Sequence, residues 1–195
     1  KRVLSSATNV AFSSDGLEIA FIAGGDLWVM DTELKEPKQI TSTPEEEKEP
    51  VWSSDGNSIL YIKDGGNTAD IFKASRADKS KLWWLNNKFN HEQITKDAEP
   101  KEDLTLSPDG KSIAYSRLRG DLYISDISGG NPRKIISSWN HVGYDWAPDS
   151  KWLVYSQYDS DFNRDIYILP IDLSRNAFNL SRHPDNESNP VWSPD

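Results

Sequence analysis

The strongest constraint on the fold of this chain is a short motif, Ser-Xaa-Asp-Gly, that recurs at the same position inside a longer repeat. Its copies begin at Ser13, Ser53 and Ser107, continue in the altered form Ala147-Pro148-Asp149-Ser150, and end at Ser193-Pro194-Asp195. Successive motif aspartates are 40, 54, 40 and 46 residues apart. Repeats of about 40 to 50 residues that contain several short strands are typical of β-propellers. The spacing therefore predicts an all-β protein.

Each repeat carries four strand signals in a constant order around the motif. A large apolar residue precedes the motif, and a second strand follows with an aliphatic and then an aromatic residue, as in Ile59-Leu60-Tyr61. Alternation with a period of two across a tight turn is typical of a hairpin. A third strand starts at an aspartate (Asp26, Asp70, Asp121 and Asp165), and a short polar fourth strand follows it. The repeat thus predicts a four-stranded antiparallel blade with a polar outer edge.

Four full blades are predicted within one propeller region, residues 1–195, at about 7–41, 49–95, 102–136 and 142–181. Residues 1–6 are expected to be the outer strand of a preceding blade, and 187–195 the inner strand of a following one. Comparable propellers close with roughly six or seven blades, so we interpret the chain as a fragment of a larger ring, with an array that closes in an unusual way as the alternative. Apolar blade faces left open at both ends predict self-association through the blade edges.

Composition narrows the classes of partner. A net charge of −9, from 31 acidic and 22 basic residues, argues against binding to a phosphate backbone. The absence of cysteine excludes disulfides and thiolate nucleophiles. No apolar run approaches the roughly 20 residues of a membrane span, and this stretch carries no export signal. We expect no nucleic-acid partner and no membrane insertion, and we favour a periplasmic or secreted location over a cytoplasmic one.

The repeats resemble those of the TolB and tricorn-protease amino-terminal propellers, and less closely those of the prolyl oligopeptidases. The segments Tyr144 to Tyr155 and Asp165 to Leu169 are most similar to blades of bacterial tricorn-like serine proteases. Such proteases combine propellers with a PDZ-like module and a serine-protease domain. The resemblance implies a propeller that gates or delivers peptides and contacts those modules, with the nucleophile downstream. The alternatives are a TolB-like periplasmic protein-binding scaffold and the gating propeller of a prolyl oligopeptidase-type peptidase.

Catalytic, metal and cofactor sites are not expected within the chain. The motif aspartates Asp15, Asp55, Asp109 and Asp149 recur in every blade, which favours a role in turn formation over a ring of reactive carboxylates. The three histidines, His91, His141 and His183, fall in predicted loops and lack metal-ligand spacing. The serines lie in no Gly-Xaa-Ser-Xaa-Gly context.

Acidic side chains concentrate in the loops that connect the outer strand of one blade to the inner strand of the next. In a propeller these loops gather at one mouth of the channel, where they would form a peptide-binding rim that attracts basic peptides by electrostatic steering. The interspersed Lys48, Lys96 and Lys101 favour the plainer alternative, a solvated charged surface. The candidate rim residues are Glu45, Glu46, Glu47, Glu49, Asp97, Glu99, Glu102, Asp103, Asp185 and Glu187.

The second blade contains an insertion between its third and fourth strands, from Ser75 to His91. Two adjacent tryptophans, Trp83 and Trp84, lie in this otherwise polar segment. Exposing both indoles to water is unfavourable, so they are expected to pack on their own blade or to dock a partner module. Sequence alone leaves these two alternatives open.

Overall fold

The computed structural model describes residues 6–193. Within this range the chain forms sixteen β-strands and one short 3-10 helix, Trp83–Leu85. The strands make four antiparallel sheets of four strands each, and in every sheet neighbours along the chain are neighbours in space. This architecture confirms the predicted all-β fold built from four-stranded antiparallel meanders.

The strand bounds of the four sheets follow in chain order. The first sheet contains β1 (Thr8–Phe12), β2 (Glu18–Ala23), β3 (Asp26–Asp31) and β4 (Pro37–Gln39). The second contains β5 (Glu46–Trp52), β6 (Ser58–Asp64), β7 (Ala69–Arg76) and β8 (Phe89–Gln93). The third contains β9 (Lys101–Leu106), β10 (Ser112–Arg117), β11 (Asp121–Asp126) and β12 (Arg133–Ile136). The fourth contains β13 (Tyr144–Trp146), β14 (Trp152–Tyr158), β15 (Arg164–Pro170) and β16 (Phe178–Asn179).

The chain divides into two compact units, one ending at Leu106 and the other beginning at Ser107. The core of the first unit combines residues of the first two sheets, including Leu27, Trp52 and Tyr61, with Trp83 from the insertion. The core of the second unit includes Leu122 and Tyr155. Within each unit, apolar side chains of successive sheets thus form a common core, which is the burial that an isolated blade lacks.

The recurring motif builds the turn between the first and second strands of each sheet. In the second sheet, Ser53 Oγ donates to Asp55 Oδ1 at 2.6 Å, and the same oxygen accepts the Asn57 amide at 2.9 Å. Gly56 has a φ of 66°, in the left-handed region that glycine enters without strain. The hydrogen bond from Ser53 is the main cause that lowers the pKa of Asp55. These contacts confirm that the motif aspartate forms the turn.

The fourth copy of the motif replaces glycine by Ser150, and the structure shows what the hydroxyl contacts. Ser150 has a φ of 60°, which strains a residue with a Cβ. Its Oγ, however, accepts the backbone amide of Asp109 at 2.9 Å. Asp109 belongs to the preceding motif, so this serine links the turns of two successive sheets.

Some segments differ from the sequence-based expectation. His91 does not lie in a loop, because β8 begins at Phe89 and places His91 opposite Ala74 of β7. Residues 187–193 form no strand, although the Trp192 amide donates to Asp145 Oδ2 at 2.8 Å. The following blade stays a prediction, and the outer strand expected at 1–6 falls almost wholly outside the described residues.

None of the helical structure in residues 6–193 has the length and apolarity needed to cross a membrane.

Candidate functional site

A hydrogen-bond network recurs where the third strand of a sheet begins. In the second sheet, Asp70 accepts the Thr95 hydroxyl at 2.9 Å, and Thr95 Oγ1 accepts the Ile71 amide at 2.9 Å. In the fourth sheet, Asp165 and Ser181 make the same pair of contacts, with Ser181 Oγ accepting the Ile166 amide at 3.0 Å. The network fastens the end of the outer strand to the start of the third strand, just before the acidic loops begin.

Glu47, a predicted rim residue, belongs to this network rather than to the solvated surface. Its side chain is fully buried, and its two carboxylate oxygens accept the hydroxyls of Thr41 at 2.8 Å and Thr43 at 2.7 Å. Burial raises the pKa of the Glu47 carboxyl, and the neighbouring charge of Asp26 acts in the same direction. The structure therefore gives Glu47 an internal contact with the preceding sheet.

Lys101 occupies the position that corresponds to Glu47, six residues before the first serine of its motif. The side chain is completely buried, and its ammonium lies 3.0 Å from Asp70 Oδ1 and 2.5 Å from Asp97 Oδ1. Asp97 is thus one of two carboxylates that neutralise a buried cation. It is half-buried, and it shares the single positive charge of the Lys101 ammonium with Asp70.

The other candidate rim residues of the first unit differ in exposure. Glu45 forms an ion pair with Lys63 at 3.1 Å, and Glu49 accepts the Leu104 amide at 2.8 Å. Burial raises the pKa of Glu49. Glu46 and Glu102 are exposed, while Glu99 and Asp103 are half-buried. The most exposed carboxylates among these residues are therefore those of Glu46, which lies 3.6 Å from the Lys48 ammonium, and Glu102.

Asp185 and Glu187 lie in the second unit, in a segment that runs beside the β14–β15 hairpin. The Glu187 amide donates to the Arg164 carbonyl at 2.7 Å. His183 Nδ1 lies 3.5 Å from Asp185 Oδ2 and 3.8 Å from Glu187 Oε1. Asp185 is exposed and Glu187 is half-buried. Whether these carboxylates bind a peptide stays a prediction.

The two tryptophans of the insertion have different environments. Trp83 is fully buried, with its ring 5.5 Å from that of Trp52 and stacked at 5.7 Å on Phe89. Its backbone amide donates to Glu18 Oε1 at 2.9 Å, and its indole N–H to the Gly56 carbonyl at 3.0 Å. Trp84 is only half-buried and stands between the exposed Leu82 and Leu85. Docking of a partner at this insertion stays a prediction. The partner would contact the surface formed by Trp84 and Leu85.

A cleft that the sequence did not reveal lies between residues 40–43, which follow β4, and the second sheet, within the first unit. It has a volume of about 340 Å³ and is bordered by Thr43, Tyr61, Lys63, Phe72 and His91. Tyr61 Oη lies 3.1 Å from His91 Nδ1. Partial burial of the imidazole lowers the pKa of His91, and burial of the phenol raises that of Tyr61. Only the alternation of β6 and β8 could have indicated that these side chains share one face.

The histidine and carboxylate side chains of the described residues were predicted not to bind a metal. No group of three or more His, Asp or Glu side chains within residues 6–193 is arranged to hold a metal ion. The carboxylates described above instead bind hydroxyls, backbone amides and ammonium groups.

Two curated peptidases are similar to this chain in sequence, whereas no protein-family model matches it. The uncharacterized peptidase YuxL of Bacillus subtilis is 29% identical over 177 residues, which cover 84% of this chain and 24% of YuxL. A tricorn protease homolog of Saccharolobus solfataricus is 23% identical over 201 residues, which cover 82% of this chain and 19% of that protein. The chain thus spans about a quarter or less of the length of these relatives.

Solved structures identify the fold. TolB from Acinetobacter baumannii superposes with a TM-score of 0.67 at 18% identity, covering 94% of this chain and 45% of TolB. A puromycin-hydrolyzing peptidase of Mycobacterium tuberculosis superposes with a TM-score of 0.65 at 14% identity, covering 94% of this chain and 30% of that one. The resemblance to TolB and tricorn-type propeller repeats is therefore confirmed at the level of the fold.

Proposed function

We propose that this chain is the non-catalytic propeller region of a longer, tricorn-like serine peptidase, where it gates or delivers peptides. The observation that carries this proposal is the similarity to two peptidases over 84% and 82% of the chain. Since the chain corresponds to about a quarter or less of each relative, the catalytic domain would lie in the remainder of the protein. Protein contacts of the propeller would then include that domain.

The exposed carboxylates are the part of the surface that suits this role. Glu46, Glu102 and Asp185 are exposed and belong to the predicted rim, and the net charge of −9 adds a long-range attraction for cations. Glu47 and Asp97 are occupied by internal contacts, so we assign them to stability and not to peptide binding. Long-range attraction of this kind weakens as ionic strength rises, because the Debye length falls.

Isothermal titration of the protein with matched basic and acidic peptides tests this proposal. We expect the basic peptide to bind more tightly, and we expect its affinity to fall between low and high salt. The double variant Glu46→Gln/Glu102→Gln should weaken binding. Glu33→Gln/Glu36→Gln, at two exposed glutamates between β3 and β4, is the matched control. Equal affinity for both peptides, or no affinity for either, would contradict peptide delivery.

The second candidate function is that of a TolB-like scaffold that binds proteins of the cell envelope. The similarity to TolB over 94% of the chain favours it. The two candidates differ in what accompanies the propeller. A reading frame that continues into PDZ-like and serine-protease domains supports the peptidase, and one that ends after two or three further blades supports the scaffold.

A further inference from the structure

Three aromatic side chains of the second unit form an exposed cluster, which we call the aromatic platform: Trp139, Tyr158 and Phe162. Trp139 is 64% exposed, Phe162 69% and Tyr158 36%. The ring of Trp139 lies 6.2 Å from that of Phe162, edge to face, and 6.4 Å from that of Tyr158. Large aromatic rings clustered together in solvent are uncommon on monomeric proteins and usually mark a binding surface.

The backbone holds Trp139 in place between β12 and β13. The Ser138 hydroxyl donates to the Asn140 carbonyl at 2.8 Å, and Gln157 Nε2 donates to the Ser137 carbonyl at 2.9 Å. The loop packs so closely on Gly120 that a Cβ at this glycine would lie 1.9 Å from the Asn140 carbonyl oxygen. The exposed indole therefore stands on a fixed segment of backbone.

Phe162 is fixed in a comparable way at the tip of the β14–β15 hairpin. Asp159 Oδ1 accepts the amides of Asp161 at 2.8 Å and Asn163 at 2.9 Å. These bonds keep Phe162 at a φ of 60°, a conformation that is strained for a bulky residue. Strain of this kind persists only where surrounding contacts enforce it, and it is enriched at binding sites.

The charges around the platform are mainly negative. Asp159 and Asp161 flank Phe162 in the hairpin, and Asp185 and Glu187 lie on the segment that packs beside it. That segment is joined to the hairpin by the bond from the Glu187 amide to the Arg164 carbonyl. Cations also lie in these segments: Arg119 next to Gly120, Arg164 in β15, and Arg182 three residues before Asp185. The charges that directly flank Phe162 are the carboxylates of Asp159 and Asp161, and they favour a cationic ligand.

One guanidinium already lies against the platform. The Arg164 guanidinium carbon is 5.6 Å from the centre of the Tyr158 ring, within the range of a cation–π interaction. Trp139 and Phe162 are also aromatic and are 64% and 69% exposed. Tryptophan attracts cations most strongly among the aromatic side chains.

We infer that the aromatic platform binds the guanidinium group of an arginine side chain in a peptide. This inference rests on the proposed peptide-handling function and names one chemical feature that the propeller would recognise. The open rings of Trp139 and Phe162 supply cation–π contacts, and the carboxylates of Asp159 and Asp161 supply the opposite charge. A neutral apolar peptide would gain nothing from these two carboxylates.

The test is a titration followed by NMR at the indole N–H signals of the whole chain, with the Trp139 signal assigned through Trp139→Phe. The probes are acetyl-Gly-Gly-Arg-Gly-Gly-amide and the same peptide with citrulline, which keeps the shape of arginine but lacks its charge. We expect the arginine probe to shift the Trp139 signal and to bind about threefold to fivefold more tightly than the citrulline probe. Trp139→Ala and Phe162→Ala should each remove most of this preference.

Phe178→Ala is the matched control, because Phe178 is 54% exposed and lies under Arg182 at 5.5 Å but stands outside the platform. It should leave the preference for arginine unchanged. Equal affinities for the two probes, or an unmoved Trp139 signal, would overturn the inference. The variant Glu46→Gln/Glu102→Gln separates this test from the rim titration. A Trp139 shift that this variant leaves unchanged supports the platform alone, whereas peptide binding that the variant weakens without any Trp139 shift supports only the proposed function.

Discussion

The ammonium group of Lys101 lies 3.0 Å from Oδ1 of Asp70, in an ion pair whose cation is completely shielded from solvent. The Asp70 side chain is only 12% exposed and also accepts the Thr95 hydroxyl. A residue at the first position of β9 thus completes the network at the start of β7. Removing one partner of such a pair leaves a buried charge without compensation.

Lys101→Met is therefore expected to destabilise the protein by about 3–5 kcal/mol, as measured by urea unfolding. Lys111→Met is the control, because Lys111 is 82% exposed and lies 3.8 Å from Asp109. Exposed pairs of this kind contribute about 0–1 kcal/mol. Similar unfolding midpoints for the two variants would show that the buried pair has no structural role.

The insertion is predicted to depend on Trp83 for its position. Trp83→Ala removes a fully buried indole and should lower the free energy of unfolding by about 3–5 kcal/mol. Leu85→Ala, at a side chain that is 47% exposed, should change it much less. Chemical unfolding monitored by circular dichroism distinguishes the two variants.

A docking experiment at this insertion should consequently use Trp84→Ser and leave Trp83 intact, so that loss of folding is not mistaken for loss of a partner.

The buried carboxyl of Glu47 predicts a specific dependence of stability on pH. Its pKa is raised above the ordinary value of 4.5, so the folded protein binds this proton more tightly than the unfolded chain does. The resulting stabilisation is present below pH 4.5 and is lost as pH rises through the raised pKa. Glu47→Gln cannot ionise, so the variant should gain stability relative to the wild type as pH rises from 4.5 towards neutrality.

Unfolding midpoints in urea, measured for both proteins across that range, check this expectation. Glu46→Gln, at an exposed neighbouring carboxylate, is the control and should show a much smaller trend. A difference between Glu47→Gln and wild type that does not change with pH would mean that the carboxyl titrates normally.

Ser150 is predicted to combine an unfavourable backbone conformation with a favourable hydrogen bond. Ser150→Ala keeps the φ of 60° and loses the acceptor for the Asp109 amide, so it should destabilise by about 1–2 kcal/mol. Ser150→Gly loses the same bond but relieves the backbone strain. This relief offsets roughly 1 kcal/mol of the lost stability. The alanine variant should therefore melt at a lower temperature than the glycine variant. The reverse order would contradict the strain assigned to the backbone at position 150.

Strand order and turn chemistry were predictable because they depend on residues close together in the chain. The motif at Ser53 to Gly56 forms its hydrogen bonds within six residues, and each third strand begins at the predicted aspartate or one residue before it. Predictions for the loops were weaker. Glu47 and Glu46 are adjacent and chemically identical, yet one is buried and the other is exposed. Adjacent residues of a strand point to opposite faces, and only the face of Glu47 meets the hydroxyls of Thr41 and Thr43.

The sequence by itself determined that this chain forms four antiparallel meanders of a propeller type, since the repeat period, the alternation and the turn residues are local properties. Only the tertiary structure decided which charged and aromatic side chains are free to bind. It buried Lys101 against Asp70, enclosed Trp83 and left Trp139 and Phe162 in solvent. Burial and pairing depend on residues from different strands and loops, and the free energy of a charge or an aromatic ring follows from those distant neighbours.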